Sequence, residues 1–402
     1  MPVSDRRGIH NDRSFSNPGA ERMTNTSQKH GVYTIKLIIL SFVIIHTLIG
    51  SPAASLRRQA NQQAELSQPL TLRWEYSSDE TINLTPATDG ERIYLPLAEG
   101  YLVSLNAADG QLNWKMDIGG ELSSSPIADE RAVYVASETR LTGNSKTPQA
   151  TGALRALGRA GGITQWMRTL PMPIRGAMAI NQTTLFGGAS DGRVYAVRKR
   201  TGEMLWLTQF PTSFNSHLTA VGTRLYLGGV EGSLFALDQV TGKTLWRYRT
   251  RGAVSGPVAV ADGLVFFGSA DGYIYAVNES TGRLRWRTRT GAGVQTVAIA
   301  GSGLLATSLD NFVYYLSLSR GVRHWKQQLA GRLPAQPLTT TDDALFIPLS
   351  SDAAVVLGLR DGKQVNVLPL GEDASIAASP IMVGKVIFVT TRHGLLAFSR
   401  PA

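Results

Sequence analysis

The chain has 402 residues, of which 43 % are hydrophobic and 17 % charged, with 41 glycines, no cysteine and a formal net charge of +10. Absence of cysteine excludes disulfides, thiolate metal sites, cysteine nucleophiles and an N-terminal lipid-modified cysteine, and the low charged fraction argues against a long helical protein. The basic excess is dispersed, +3 in residues 1–36 and +7 in the rest with no run of five or six like charges, so it reads as solvated strand faces and turns.

Residues 1–36 are polar, rich in Asn, Ser and Arg, and lack an apolar period. That composition predicts disorder, as a cytoplasmic segment or the n-region of a signal. Within residues 37–55 an apolar stretch, LIILSFVIIHTLI, follows Lys29 and Lys36 and gives way to Gly50, Ser51, Ala53, Ala54 and Ser55. Positive flank, apolar core and small-residue exit form the pattern of a Sec-type signal peptide, with cleavage after Ala53 or Ser55. The alternative is an uncleaved membrane anchor, although 13 residues interrupted by Ser41 and His46 fall short of the roughly 20 that span a bilayer. Either reading exports the bulk of the chain and permits membrane association through the N-terminal segment. Met23 offers a second start that would shorten the leader. Residues 56–69 are polar and Gln-rich, a linker.

From residue 70 to 400 the chain repeats. Tryptophan occurs at Trp74, Trp114, Trp166, Trp206, Trp246, Trp286 and Trp325; five of the six intervals are 39 or 40 residues, and that between Trp114 and Trp166 is 52. A fixed period near 40 marks a repeat architecture. In the cleanest unit, residues 254–290, the runs VSGPVAVA, LVFFGS, YIYAVN and RLRWRTRT are separated by Asp262-Gly263, Asp271-Gly272 and Thr281-Gly282. Four short apolar or alternating runs between such turn signals predict an antiparallel meander. Second strands begin near Arg92, Ala132, Thr183, Arg224, Leu264, Leu304, Ala344 and Lys385, and Asn366 stands where an eighth Trp would fall. Eight such sheets bury both faces only by radial stacking, so the expected fold is an all-β, eight-bladed β-propeller over residues 70–400. Residues 70–76 read as a fourth strand without predecessors, and residues 376–399 as three strands without a fourth. The N-terminal strand is therefore expected to complete the last blade.

A glycine stands four residues before six of the tryptophans: Gly110, Gly162, Gly202, Gly242, Gly282 and Gly321. A turn without a Cβ lets a flat indole approach the backbone, so all seven Trp are assigned to packing between blades and not to a ligand platform. The pattern AxDxxTGxxxW, complete at residues 236–246 and partial at 196–206 and 276–286, resembles the tryptophan-docking motif of PQQ-like β-propeller repeats. This resemblance covers residues 70–400. One branch of that family, the quinoprotein dehydrogenases, binds pyrroloquinoline quinone with calcium, an Asp base and commonly a vicinal cysteine pair. This chain has no cysteine, no comparable insertion and no calcium-type acidic loop. The other, BamB-like branch is non-catalytic. Resemblance to it implies a monomeric periplasmic scaffold that needs no cofactor and assists outer-membrane β-barrel assembly by binding the barrel-forming subunit. Residues 170–176 (LPMPIRG) match that branch's apolar-x-apolar-Arg-Gly loop, which makes Met172, Ile174 and Arg175 the candidate partner contacts. An arginine among apolar residues also suits a binding hot spot. Two features depart from the branch: Ser213-Phe214-Asn215-Ser216 lacks the acidic pair of the neighbouring loop, and the lipid-anchoring cysteine is missing.

No catalytic set emerges. His10, His30, His46, His217, His324 and His393 form no i, i+4 pair, and so no zinc site. No GxSxG elbow occurs. The glycine-rich residues 228–232 lie between two strands and open no helix, which makes them a hairpin and not a phosphate cradle. Basic residues 283–289 contain one aromatic, and no nucleic-acid partner is expected. The surplus between Trp114 and Trp166 falls at residues 138–151 (ETRLTGNSKTPQAT), expected to be a long, polar, mobile loop. Three functions stand: a non-catalytic envelope scaffold, which is favoured, a PQQ-dependent quinoprotein dehydrogenase, and a ligand- or polymer-binding propeller.

Overall fold

The computed structural model describes residues 65–140, 150–372 and 376–401. The leader expected at 1–55 and most of the 56–69 linker lie outside the described residues. Eight antiparallel sheets follow one another in the chain. Blade 1 runs Ala87–Thr88, Arg92–Pro96, Tyr101–Asn106 and Leu112–Asp117 from the inside outward. In blade 2 the innermost position is shared by two short strands, Glu121–Leu122 and Ile127–Ala128, which both pair with Ala132–Arg140. Blades 3 to 7 repeat the order and end on Met204–Gln209, Thr244–Arg249, Leu284–Arg289, Arg323–Gln328 and Gln364–Pro369.

Burial follows position. The third strand of blade 5, Tyr273–Asn278, is buried on both faces through its centre, whereas the fourth, Leu284–Arg289, buries chiefly Trp286. An inner strand lies between two neighbouring sheets and must be apolar on both sides; an outer strand meets solvent along its edge. The core is correspondingly divided into eight clusters, one per junction. One of them joins Leu395 and Phe388 of blade 8 to Ile93 and Leu95 of blade 1, which makes the array a closed ring.

Closure uses both chain ends. Thr71–Ser77 pairs antiparallel with Gly394–Ser399, with Trp74 opposite Ala397, and so supplies the fourth strand of blade 8. Each indole lies on the turn glycine of the following blade. A Cβ on Gly242 would sit 2.6 Å from Trp206 Cε3, and the same contact recurs from Trp74–Gly110 to Trp325–Gly362. Each glycine thus serves the indole of the blade before it, not the Trp four residues ahead. Six indoles also donate Nε1–H to a backbone carbonyl of that turn, as Trp206 does to Gln239 at 2.9 Å and Trp246 to Glu279 at 2.8 Å. Trp74 Nε1 is buried without a partner among the described residues.

Two local expectations change. Of residues 254–261 only Ala259–Ala261 is strand, because Gly256 and Pro257 turn the chain along the inner wall and Pro257 has no N–H for a ladder. The segment 138–151 is not loop throughout. Ala132–Arg140 and Ala150–Gly158 extend the hairpin, pairing Glu138 with Gly152 and Arg140 with Ala150. The polar tip, 141–149, lies outside the described residues.

Candidate functional site

Three segments meet at one end of the ring, beside blades 2 and 3. The first is the extended hairpin of blade 2. The second is the link from Thr164–Leu170 to Ile174–Ile180, which carries Met172 and Arg175. The third is the link from Met204–Gln209 to Thr219–Val221, which carries residues 213–216. Glycines set their spacing. A Cβ on Gly152 would lie 2.5 Å from the Met172 carbonyl, and one on Gly176 would lie 2.0 Å from the Ser216 carbonyl. Only glycine allows backbones to approach so closely, and Gly176 also holds φ at +70°. The two loops singled out in the sequence are therefore neighbours in space.

The three expected contact residues differ in what they present. Ile174 is 1 % exposed and packs in the core shared by blades 2 and 3, so it supports the loop from beneath. Met172 is half-buried against the edge of that core. The Arg175 side chain is 38 % exposed and ion-pairs with Glu138, itself 14 % exposed. Arg175 is thus not a free cation. The carboxylate absent from residues 213–216 is supplied from the other side, by the hairpin. Glu138 is not legible as a site residue in the sequence, because its polar segment resembles loop. The signal was its place at the base of the surplus residues, where strand alternation continues. In the third segment Phe214 is fully buried against Phe210 and Phe235, which leaves Asn215 on the surface.

The same loops run inward to an axial cavity of about 310 Å³. Every blade contributes to its wall from the start of its inner strand or the segment just before it, with Asn83, Ser123, His217, Ser255, Gln295, Gln336 and Ser379 among the polar groups. Part of the wall is knitted across blades: Gln336 N–H donates to Ser379 Oγ at 2.9 Å, Ser379 N–H to Thr85 Oγ1 at 2.9 Å, and Thr85 N–H to Ser125 Oγ at 3.1 Å. His217 lines the cavity with its side chain open to it. Desolvation there lowers its pKa below 6.5, and the Ser255 backbone only partly offsets this. Among the described residues no Asp, Glu, Lys or Arg lines the cavity. A calcium ion needs several converging oxygens, commonly carboxylates, and no His, Asp and Glu group able to hold a metal occurs among the described residues. The wall does not fit a calcium–quinone pair.

Comparison with known proteins bears on this architecture. A family model described as Outer membrane protein assembly factor BamB matches residues 64–147, 150–255 and 231–401. The outer membrane protein assembly factor BamB of Yersinia pestis is 28 % identical over 119 residues, covering 28 % of this chain and 27 % of that protein. The match therefore spans about a quarter of that relative's length. The crystal structure of BamB from Moraxella catarrhalis superposes with a TM-score of 0.68 at 15 % identity, over 83 % of this chain and 98 % of that one. The quinohemoprotein alcohol dehydrogenase of Comamonas testosteroni superposes with a TM-score of 0.64 at 12 % identity, over 84 % and 77 %. At such identities both likenesses establish the fold alone, and one fold serves unlike functions.

Proposed function

The chain belongs to the family of the outer membrane protein assembly factor BamB, and from that premise we propose that it is a non-catalytic scaffold of the cell envelope that assists outer-membrane β-barrel assembly. The observation that carries this reading is the surface where three segments of blades 2 and 3 converge on Arg175 and Glu138. It presents a half-buried Met172, a guanidinium held in place by a carboxylate, and an exposed Asn215. Preorganised arginine beside apolar surface is the usual make-up of a binding hot spot. Its partner in this proposal is the barrel-forming subunit, and its place is the periplasmic side of the envelope. The uncharged axial wall favours the scaffold over the quinone-dependent oxidoreductase.

A photo-crosslinking residue at Met172, followed by mass spectrometry of envelope adducts, tests the proposal. Recovery of the barrel-forming subunit, and its loss in Arg175→Glu, is the expected result. Dye-linked alcohol oxidation by the purified protein with added quinone and calcium, with no such adduct, would overturn it.

A further inference from the structure

The fourth strands of blades 4, 5 and 6 are Thr244–Arg249, Leu284–Arg289 and Arg323–Gln328. They carry Arg247, Arg249, Arg285, Arg287, Arg289, Arg323 and Lys326, all exposed, and no carboxylate. None of the ion pairs among the described residues includes any of these seven. Elsewhere the outer strands carry at most one net charge: Arg73 sits with Glu75, Lys115 with Asp117, Thr164–Leu170 holds Arg168 alone, and Met204–Gln209 and Gln364–Pro369 hold no charge. Basic residues scattered along the sequence are thus gathered into one sector by the repeat. Arg247, Arg287 and Lys326 each directly follow a Trp, so a period near 40 lines them up around the ring. They lie over Phe235, Tyr273 and Phe312, at 5.0, 4.8 and 4.5 Å, which holds them against the rim.

We propose that this rim docks on a bilayer surface rich in anionic phosphate headgroups. Guanidinium groups match phosphate bidentately. Two adjacent strands, of blades 4 and 5 or of 5 and 6, offer five cations to a flat surface. Between them stand exposed aliphatic side chains, Leu245, Leu284 and Val322, at 48, 43 and 57 %. Cations among aliphatics suit a headgroup boundary. Nucleic acid fits less well, because base stacking needs open aromatic faces. Here Trp246 and Trp286 are buried, and Tyr248 is closed by Phe267 and Tyr275. The rim is separate from the Arg175 surface, so docking stands independently of that partner.

The chain has no cysteine, so one introduced cysteine labels one place. A fluorophore on Gln327→Cys reports the basic rim, and one on Gln111→Cys reports the rim of blade 1. Both are placed in the full chain. With phosphatidylethanolamine–phosphatidylglycerol vesicles carrying a lipid quencher, the Gln327 label is expected to be quenched and the Gln111 label not. Phosphatidylcholine vesicles and raised salt should abolish the difference. Arg285→Glu with Arg289→Glu should weaken the salt-sensitive binding about 25-fold or more, at about fivefold per cation, with near-ultraviolet dichroism unchanged. Equal quenching at both rims, indifference to the charge reversal, or capture of an acidic peptide or oligonucleotide while vesicles leave Gln327 unquenched would overturn the proposal.

Discussion

Asn366 donates its side-chain amide to the carbonyls of Leu66 and Gln68, at 2.9 and 2.8 Å, across 300 and 298 residues of chain. It repeats at the eighth junction what six indoles do elsewhere, because it stands where their Trp stands. The reason for the exchange is Leu70. It occupies the place of the turn glycine, and its side chain packs in the core of that junction. An indole cannot lie there. Asn366→Ala is expected to lower stability to urea by about 0.5–1.5 kcal/mol, the range for losing ordinary hydrogen bonds that solvent partly replaces. Asn366→Trp should destabilise alone and partly recover with Leu70→Gly. Additivity in that double-mutant cycle would contradict the explanation.

Gly242→Ala and Gly222→Ala separate packing from backbone strain. Both glycines have positive φ, +68° and +56°, but only Gly242 meets an indole; Gly222 has nothing within 4 Å of its notional Cβ. Gly222→Ala should cost about 1–2 kcal/mol, the penalty of a left-handed conformation with a Cβ. Gly242→Ala should exceed it by about 1–3 kcal/mol, the typical cost of overpacking. Equal losses in urea unfolding would show that the Trp206 contact is slack.

Ile174 and Met172 differ in the same way. Ile174→Ala removes a fully buried side chain and should cost about 2–5 kcal/mol. Met172→Ala, half-exposed, should cost less than about 1.5 kcal/mol. Thermal unfolding of the two variants checks this and shows which of them can be used to measure partner binding.

The ring was legible in the sequence because Trp spacing, turn dipeptides and the phase of the two ends all pointed the same way. So was the adjacency of residues 170–176 and 213–216, since consecutive links between blades share one end of a propeller. The burial of Ile174 was not legible. A one-residue step along a strand reverses the face, and the strand begins at Ile174 itself. The ion pair from Glu138 was hidden for a similar reason, because polar residues of a long hairpin look like loop. The basic sector was missed because charges 40 residues apart become neighbours only when the sheets are stacked.

Acid should act first where carboxylates are held in place. Asp129 accepts Lys199 Nζ–H at 2.6 Å and the N–H groups of Arg131 and Ala132. Desolvation raises its pKa, but these hydrogen bonds outweigh it and hold the carboxyl below 3.8. A group depressed on folding stabilises the fold above its unfolded value, about 3.9, and that stability is lost as pH falls through the lower folded value. Stability should therefore decline below about pH 4. The decline should be shallower in Asp129→Asn combined with Lys199→Met. Identical slopes in urea midpoint against pH would remove this pair from the acid response.

Ring closure by Thr71–Ser77 against Gly394–Ser399 has a temporal side. A chain emerging N-terminus first presents the closing strand long before its mate exists. That strand, Trp74 within it, waits unpaired while seven sheets form behind it. Seven of eight blades can assemble as they appear, yet the ring is not locked until residues 394–399 arrive. Until that strand is delivered the molecule is a substrate for whatever guards unfinished chains.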